Sequence, residues 1–205
     1  MKGVIGLLVV FAALGLAMTQ GWTEPIDTSI REWVQAPRFT GLLAFAKKLT
    51  WAGDFTPQFL VSLVVAAYLR LSTGKAGASR FLMLYLGGVW VLNTVLKAAY
   101  HRERPSVEHL VEASGYSFPS GHAMSSAALY GMLGYLLWRK FRREGRWVYA
   151  IPVITVLWIL LIGWSRVYLG VHFASDVAGG YAVGCAWLML CLWMRSGVNP
   201  KASTR

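Results

Sequence analysis

Six stretches without Asp, Glu, Lys or Arg punctuate this chain, at residues 3–23, 55–69, 81–96, 113–138, 147–165 and 177–194. Crossing about 30 Å of hydrocarbon takes about 20 mostly apolar residues, so the pattern predicts six transmembrane helices. The second and third runs are short and reach across only if the flanking Arg70 and Lys97 snorkel. A re-entrant segment is the alternative for the second. The first run also resembles a signal peptide, with Lys2 ahead of an apolar stretch and small residues near Ala17; its removal would leave five helices and would not invert the rest.

Between the first two runs the pattern changes. Asp27, Arg31, Glu32, Arg38, Lys47, Lys48 and Asp54 are interleaved with aromatics and leucines. Helical spacing of Ile26, Ile30, Trp33 and Val34, then of Leu42, Leu43, Phe45, Ala46 and Leu49, predicts one or two amphipathic helices along the bilayer surface. The expected fold is an all-α integral membrane bundle of six transmembrane helices, with this short interfacial segment between helices 1 and 2. One membrane-embedded domain over residues 1–205 is expected, ending in a short disordered tail after Arg195.

Composition agrees with the pattern: 56% of the 205 residues are hydrophobic and 14% charged, against roughly 25% charged in a soluble domain. Ten tryptophans and nine tyrosines supply rings suited to the lipid–water boundary. A net charge of +11 raises nucleic acid as a partner, but the basic residues form no long stripe. Attraction to anionic lipid explains the charge better, so the bilayer and no nucleic acid are the expected partners. Cys185 and Cys191 lie six residues apart in the last run, on different helix faces, which argues against a disulfide or metal site built on them.

The loops set the orientation. With the amino terminus inside, Lys2, Arg70, Lys75, Arg80, Arg139, Lys140, Arg142, Arg143, Arg146, Arg195, Lys201 and Arg205 share one side, twelve of the twenty cations. The excess of Lys and Arg belongs on the cytoplasmic side. Three polar clusters then fall together on the outer, extracytoplasmic face.

In the first cluster, Lys97 closes the third run and Arg104 lies seven residues on, displaced from helix by Pro105. In the second, Pro119-Ser120-Gly121-His122 opens a helix, where unpaired N–H groups bind anions and glycine permits close approach. Histidine as a residue type titrates near neutrality, which suits His122 to proton transfer. In the third, Ser165-Arg166 ends the fifth helix, and His172 begins the sixth with Asp176 four residues later. A carboxylate there would orient the imidazole, leaving its other nitrogen free to attack. Taken singly, the cations read as snorkelling residues, His122 as an interface histidine and Asp176 as a helix cap. Together they form a complete set for phosphoryl transfer, in which positioning and charge stabilisation dominate.

These residues reproduce the signatures Lys-x6-Arg-Pro, Pro-Ser-Gly-His and Ser-Arg-x5-His-x3-Asp, in order and without a mismatch. The chain thereby resembles the type 2 phosphatidic acid phosphatase (PAP2) family, whose fold and active site are shared with vanadium haloperoxidases. The resemblance implies that His172 attacks phosphorus to form a phosphohistidine, that Asp176 orients it, and that His122 protonates the leaving alkoxide and later activates water. Lys97, Arg104, Ser120, Gly121 and Arg166 would hold the phosphoryl oxygens. No metal or other cofactor is implied. Asp176 is the one acidic residue of nine at a defining position of the signatures, too few for a two-metal carboxylate site. The lipid would enter sideways from the outer leaflet, beneath an overhanging segment, residues 106–116, that carries Glu108, His109 and Glu112.

The expected function is hydrolysis of the phosphomonoester of phosphatidylglycerophosphate or phosphatidic acid. A polyprenyl pyrophosphate phosphatase is the alternative, since the same site can cleave an anhydride. A lipid or anion transporter would need polar groups through the depth of the bilayer, whereas here they gather at one end. A vanadate-dependent peroxidase shares the site but suits a soluble scaffold.

Overall fold

Hydrocarbon offers a backbone no hydrogen-bond partners, so apolar runs of this length close upon themselves as helices. The computed structural model describes residues 1–36, 40–73 and 76–198. Within them lie helices α1 (Lys2–Thr19), α2 (Glu24–Gln35), α3 (Thr40–Ala52), α4 (Phe55–Thr73), α5 (Ala76–Tyr100), α6 (Gly121–Phe141), α7 (Ala150–Tyr168) and α8 (Ala174–Val198), and no strand. A 3-10 turn, Arg146–Tyr149, leads into α7. Arg38, Lys75, Lys201 and Arg205, which enter the charge pattern, fall outside the described residues, as does the tail from residue 199. The helix continues past Arg195 to Val198.

Among the described residues, five helical stretches are long and apolar enough to cross a membrane: Lys2–Thr19, Phe55–Ser72, Ser79–Tyr100, Arg146–Tyr168 and Ala174–Arg195. The sixth expected span differs in two ways. Residues 113–120 carry no charge yet are irregular, with Gly115 at φ 67° and Pro119 ahead of the helix. Helix α6 itself has 21 residues but includes His122, Ser125 and Ser126, with Arg139 and Lys140 in its last turn. A charge-free run registers none of this dilution of apolar character.

The amphipathic segment forms two helices, as its spacing predicts. Along α2, Val34 is buried while Ile26 and Trp33 project outward; along α3, Ala46 and Leu49 are buried and Phe45 is exposed.

At the centre α6 lies against α8 with almost no side chain between them. A Cβ on Gly184 would stand 2.4 Å from the Met124 carbonyl oxygen, and one on Gly180 2.6 Å from that of Ser120. Small residues permit such approach where no hydrophobic effect drives helices together. Around this pair, α1 packs on α8, and its Phe11 ring stacks on Phe118 at 5.4 Å. The other flank is α7, where the Tyr181 hydroxyl of α8 donates to the Ile159 carbonyl at 2.8 Å. Leu8, Val9, Leu63, Val64, Val91 and Ile154 remain exposed on the outside, an apolar surface of the sort hydrocarbon covers.

Substituting Gly184→Ala should therefore force the central pair apart, lowering stability by about 1–3 kcal/mol. Gly6 in α1 has nothing within 4 Å of an added Cβ, so Gly6→Ala should leave stability unchanged or slightly raised. Thermal melting of the two variants in detergent compares them directly.

Candidate functional site

Four helix ends meet at one pole of the bundle. From the last turn of α5 comes Lys97; the helix stops at Tyr100, with His101 in the left-handed region at φ 49°. The chain then runs irregularly to Ser120, which caps α6. Arg166 occupies the last turn of α7. After it a tight turn through Gly170, at φ 78°, brings His172 round to the start of α8. A Cβ on Gly170 would lie 2.8 Å from the Glu108 carbonyl oxygen, so the turn also seats the 106–116 segment, and the Leu110 amide donates to the Leu169 carbonyl at 3.0 Å.

Six of the eight expected residues, Lys97, Arg104, Gly121, His122, Arg166 and His172, line one cavity of about 310 Å³. Ser120 stands at the head of α6, whose first residues face that cavity, and Asp176 lies behind His172. His172 does not begin a helix: it precedes α8, and Asp176 sits in the first turn. The Asp176 carboxylate, wholly buried, accepts from the Phe173 amide at 2.8 Å and lies 3.4 Å from His172 Nδ1. It thus both caps the helix and orients the histidine, since an acid at the third helical position reaches back to the capping residue's amide. Ser117, absent from the sequence reading, reinforces the pair. Its hydroxyl donates to Asp176 Oδ2 at 2.5 Å and stands 3.2 Å from His172 Nδ1.

With Nδ1 so engaged, Nε2 of His172 turns toward the cavity, 3.4 Å from Arg104 Nη1. Burial pushes the imidazole down to about 3, opposed by Asp176, so the ring is neutral and its lone pair available. Burial likewise lowers Arg104, against the pull of Asp176. Its guanidinium is held by the carbonyls of Ser114, Gly115 and Val171 at 2.8, 3.0 and 2.7 Å, and Lys97 Nζ donates to that of Tyr116. Arg166 donates through Nη1 to the Thr50 hydroxyl of α3. Among the described residues, Ser120 Oγ and Arg166 Nε are the buried side-chain polar atoms without a hydrogen-bond partner. Buried donors require acceptors, and a phosphoryl group brings them.

Other residues that the sequence reading missed brace the site. Arg102 donates to Asp176 Oδ1 at 2.6 Å and to Asp27 Oδ2 at 2.8 Å, with its guanidinium 4.0 Å above the Phe173 ring. Asp27 of α2 in turn accepts from the Ser175 amide at 2.8 Å and hydroxyl at 2.6 Å. Asp54 meets His122 Nε2 at 2.7 Å, so Asp176 is not the only carboxylate among the clusters. The signal available was slight: Arg102 stands between two cations of a signature, and Asp27 is an acid in the first turn of a helix, but their partners lie far away in sequence.

Fold and site together define an α-helical membrane enzyme built to hold a phosphoryl group. The PAP2 superfamily model matches residues 78–200, and on that match the chain belongs to the PAP2 superfamily. It is similar to phosphatidylglycerophosphatase B of Bacillus subtilis, 32% identical over 96% of this chain and 95% of the relative. Decaprenylphosphoryl-5-phosphoribose phosphatase of Mycobacterium tuberculosis is 30% identical over 70% of this chain and 75% of its own length. The crystal structure of a transmembrane PAP2-type phosphatidylglycerolphosphate phosphatase from Bacillus subtilis superimposes with a TM-score of 0.91, covering all of both chains at 27% identity.

Arg102 is 10% exposed and its two acidic partners essentially not at all. Removing one member of a buried charge network leaves the others uncompensated, at a cost of about 3–5 kcal/mol. Arg102→Met should lower the melting temperature sharply and reduce the folded yield in detergent. Glu103→Gln, next to it but less buried, should do neither.

Proposed function

We propose that this chain hydrolyses phosphomonoesters of membrane lipids, with phosphatidylglycerophosphate or phosphatidic acid as substrate, through a phosphohistidine. The observation that carries this reading is the pair of buried, partnerless donors, Ser120 Oγ and Arg166 Nε, beside a neutral His172. His172 Nε2 attacks phosphorus as the bond to the lipid oxygen breaks, and His122 gives that oxygen its proton. Water then attacks the phosphohistidine, His122 takes its proton, the P–N bond breaks and inorganic phosphate leaves. Lys97, Arg104, Ser120, Gly121 and Arg166 hold the phosphoryl oxygens, where fixed donors and cations stabilise the developing charge.

Support for lateral entry lies in a second, apolar cavity of about 310 Å³ between α4 and α5, lined among others by Phe59, Met83, Leu86 and Trp90. It shares Phe55, Gln58, Val89, Trp90 and Ser125 with the phosphate cavity, so acyl chains in one place a phosphate in the other. In this reading α6 crosses the membrane as a sixth span, its polar face turned inward. Trp33 and Ile26 of α2 face the lipid boundary, and the phosphate site opens at the outer face. The sites act together as one membrane-embedded unit that needs no metal.

Phosphate release from phosphatidylglycerophosphate, phosphatidic acid, a polyprenyl pyrophosphate and a soluble short-chain phosphate, with chelator and with vanadate, tests this reading. Turnover should favour the lipid monoesters, persist in chelator and vanish in vanadate. Preference for the pyrophosphate would make the chain a lipid-carrier phosphatase, and equal rates on the soluble ester would refute lipid specificity. His172→Ala should lower turnover by at least about 1,000-fold while the protein still melts cooperatively; retained turnover would overturn the covalent route.

A further inference from the structure

We infer that Asp54 is a positioning residue for the reaction, forming with His122 a second histidine–carboxylate pair that readies this ring for proton transfer. The inference rests on the assignment of His122 as acid and base. Asp54 lies in the turn between α3 and α4, and its Oδ1 stands 2.7 Å from His122 Nε2. The turn is built to hold that contact. Its Gly53 and Asp54 amides donate to the Thr50 and Trp51 carbonyls at 2.8 and 3.0 Å.

Further contacts tie the turn to α6. The Tyr130 hydroxyl donates to the Ala52 carbonyl at 2.6 Å, and Gln58 Nε2 donates to the Gly53 carbonyl at 3.3 Å and to the Ser126 hydroxyl at 3.1 Å. A Cβ on Gly53 would come 2.7 Å from His122 Cδ2 and 2.8 Å from Ile162 Cγ2. Glycine therefore seats the ring and the carboxylate beside it fixes the ring's rotation.

An aspartate on Nε2 leaves Nδ1 as the working nitrogen, the reverse of His172, whose Nδ1 faces its aspartate. The charge also matters. Around the cavity that His122 lines stand Lys97 from α5, Arg104 and Glu112 from the 101–120 segment, Arg166 from α7 and His172 ahead of α8. Burial and the three cations oppose an imidazolium there, and a carboxylate in direct contact favours it. Asp54 is half exposed, in a further cavity of about 340 Å³ that it shares with Lys47, Trp51 and Glu112 and that His122 and Arg166 also line.

The test compares kcat/KM across pH for phosphatidic acid and for p-nitrophenyl phosphate, whose nitrophenolate departs without a proton, using the full chain in detergent. Because kcat/KM reports the step in which the leaving group departs, Asp54→Asn should lower it about 10- to 100-fold on the lipid. The aryl ester should lose only a few-fold, and the alkaline limb for the lipid should move to lower pH. Asp54→Glu should restore most of the loss. Gly53→Ala, which displaces the ring but keeps the carboxylate, should show the same dependence on leaving group. Equal losses on both esters, or an unmoved pH profile, would overturn the role of Asp54. Full turnover in His172→Ala would instead overturn the mechanism on which that role depends.

Discussion

A wholly buried carboxylate must have each of its lone pairs met, and Asp176 meets this demand by drawing together parts of the chain that are otherwise far apart. Arg102 reaches it from the segment after α5, Ser117 from just before α6, and the Phe173 amide and His172 from the head of α8. Through Arg102 the network extends to Asp27 and so to α2. The orientation of the His172 ring and the path of the irregular 101–120 segment are consequences of one buried charge. The bond that caps α8 and the contact that holds the His172 ring belong to the same carboxylate.

The cavity organised around this network divides by polarity. On one side Phe55, Phe59 and Trp90 make an apolar slot between α4 and α5; on the other, the charged Lys47 and Asp54 line a recess of mixed polarity beside α3. His122 and Arg166 border the phosphate cavity and this recess alike. An amphiphile with one charged end fits such a cavity in a single direction, so orientation follows from solvation of its two ends and not from shape alone.

Much of this was legible in the sequence, for reasons that differ by element. Charge-free runs marked α1, α4, α5, α7 and α8 because hydrocarbon leaves a polar backbone no alternative to helix. The gathering of Lys97, Arg104, Gly121, His122, Arg166 and His172 about one cavity was legible because the spacing within each cluster is local. Residues 113–120 misled because absence of charge says nothing of Lys97 held by the Tyr116 carbonyl or Asp176 by Ser117. Arg102, Asp27 and Asp54 were not legible as site residues, since their contacts join positions 68 to 148 residues apart. Helical periodicity carries no information at that range; only the folded packing of α2, α3, α6 and α8 supplies it.

The bare contact between α6 and α8 also bears on inheritance. The Ser120 amide donates to the Asp176 carbonyl at 3.0 Å, so the head of α6 is joined to the first turn of α8 through main-chain atoms. Main-chain atoms are common to all amino acids and do not drift. Side-chain substitution on either helix leaves the two atoms of this bond in place. The slot between α4 and α5 is walled by side chains and is open to change. A lineage built on this joint can reshape those walls and still pass on the main-chain contact between α6 and α8 intact.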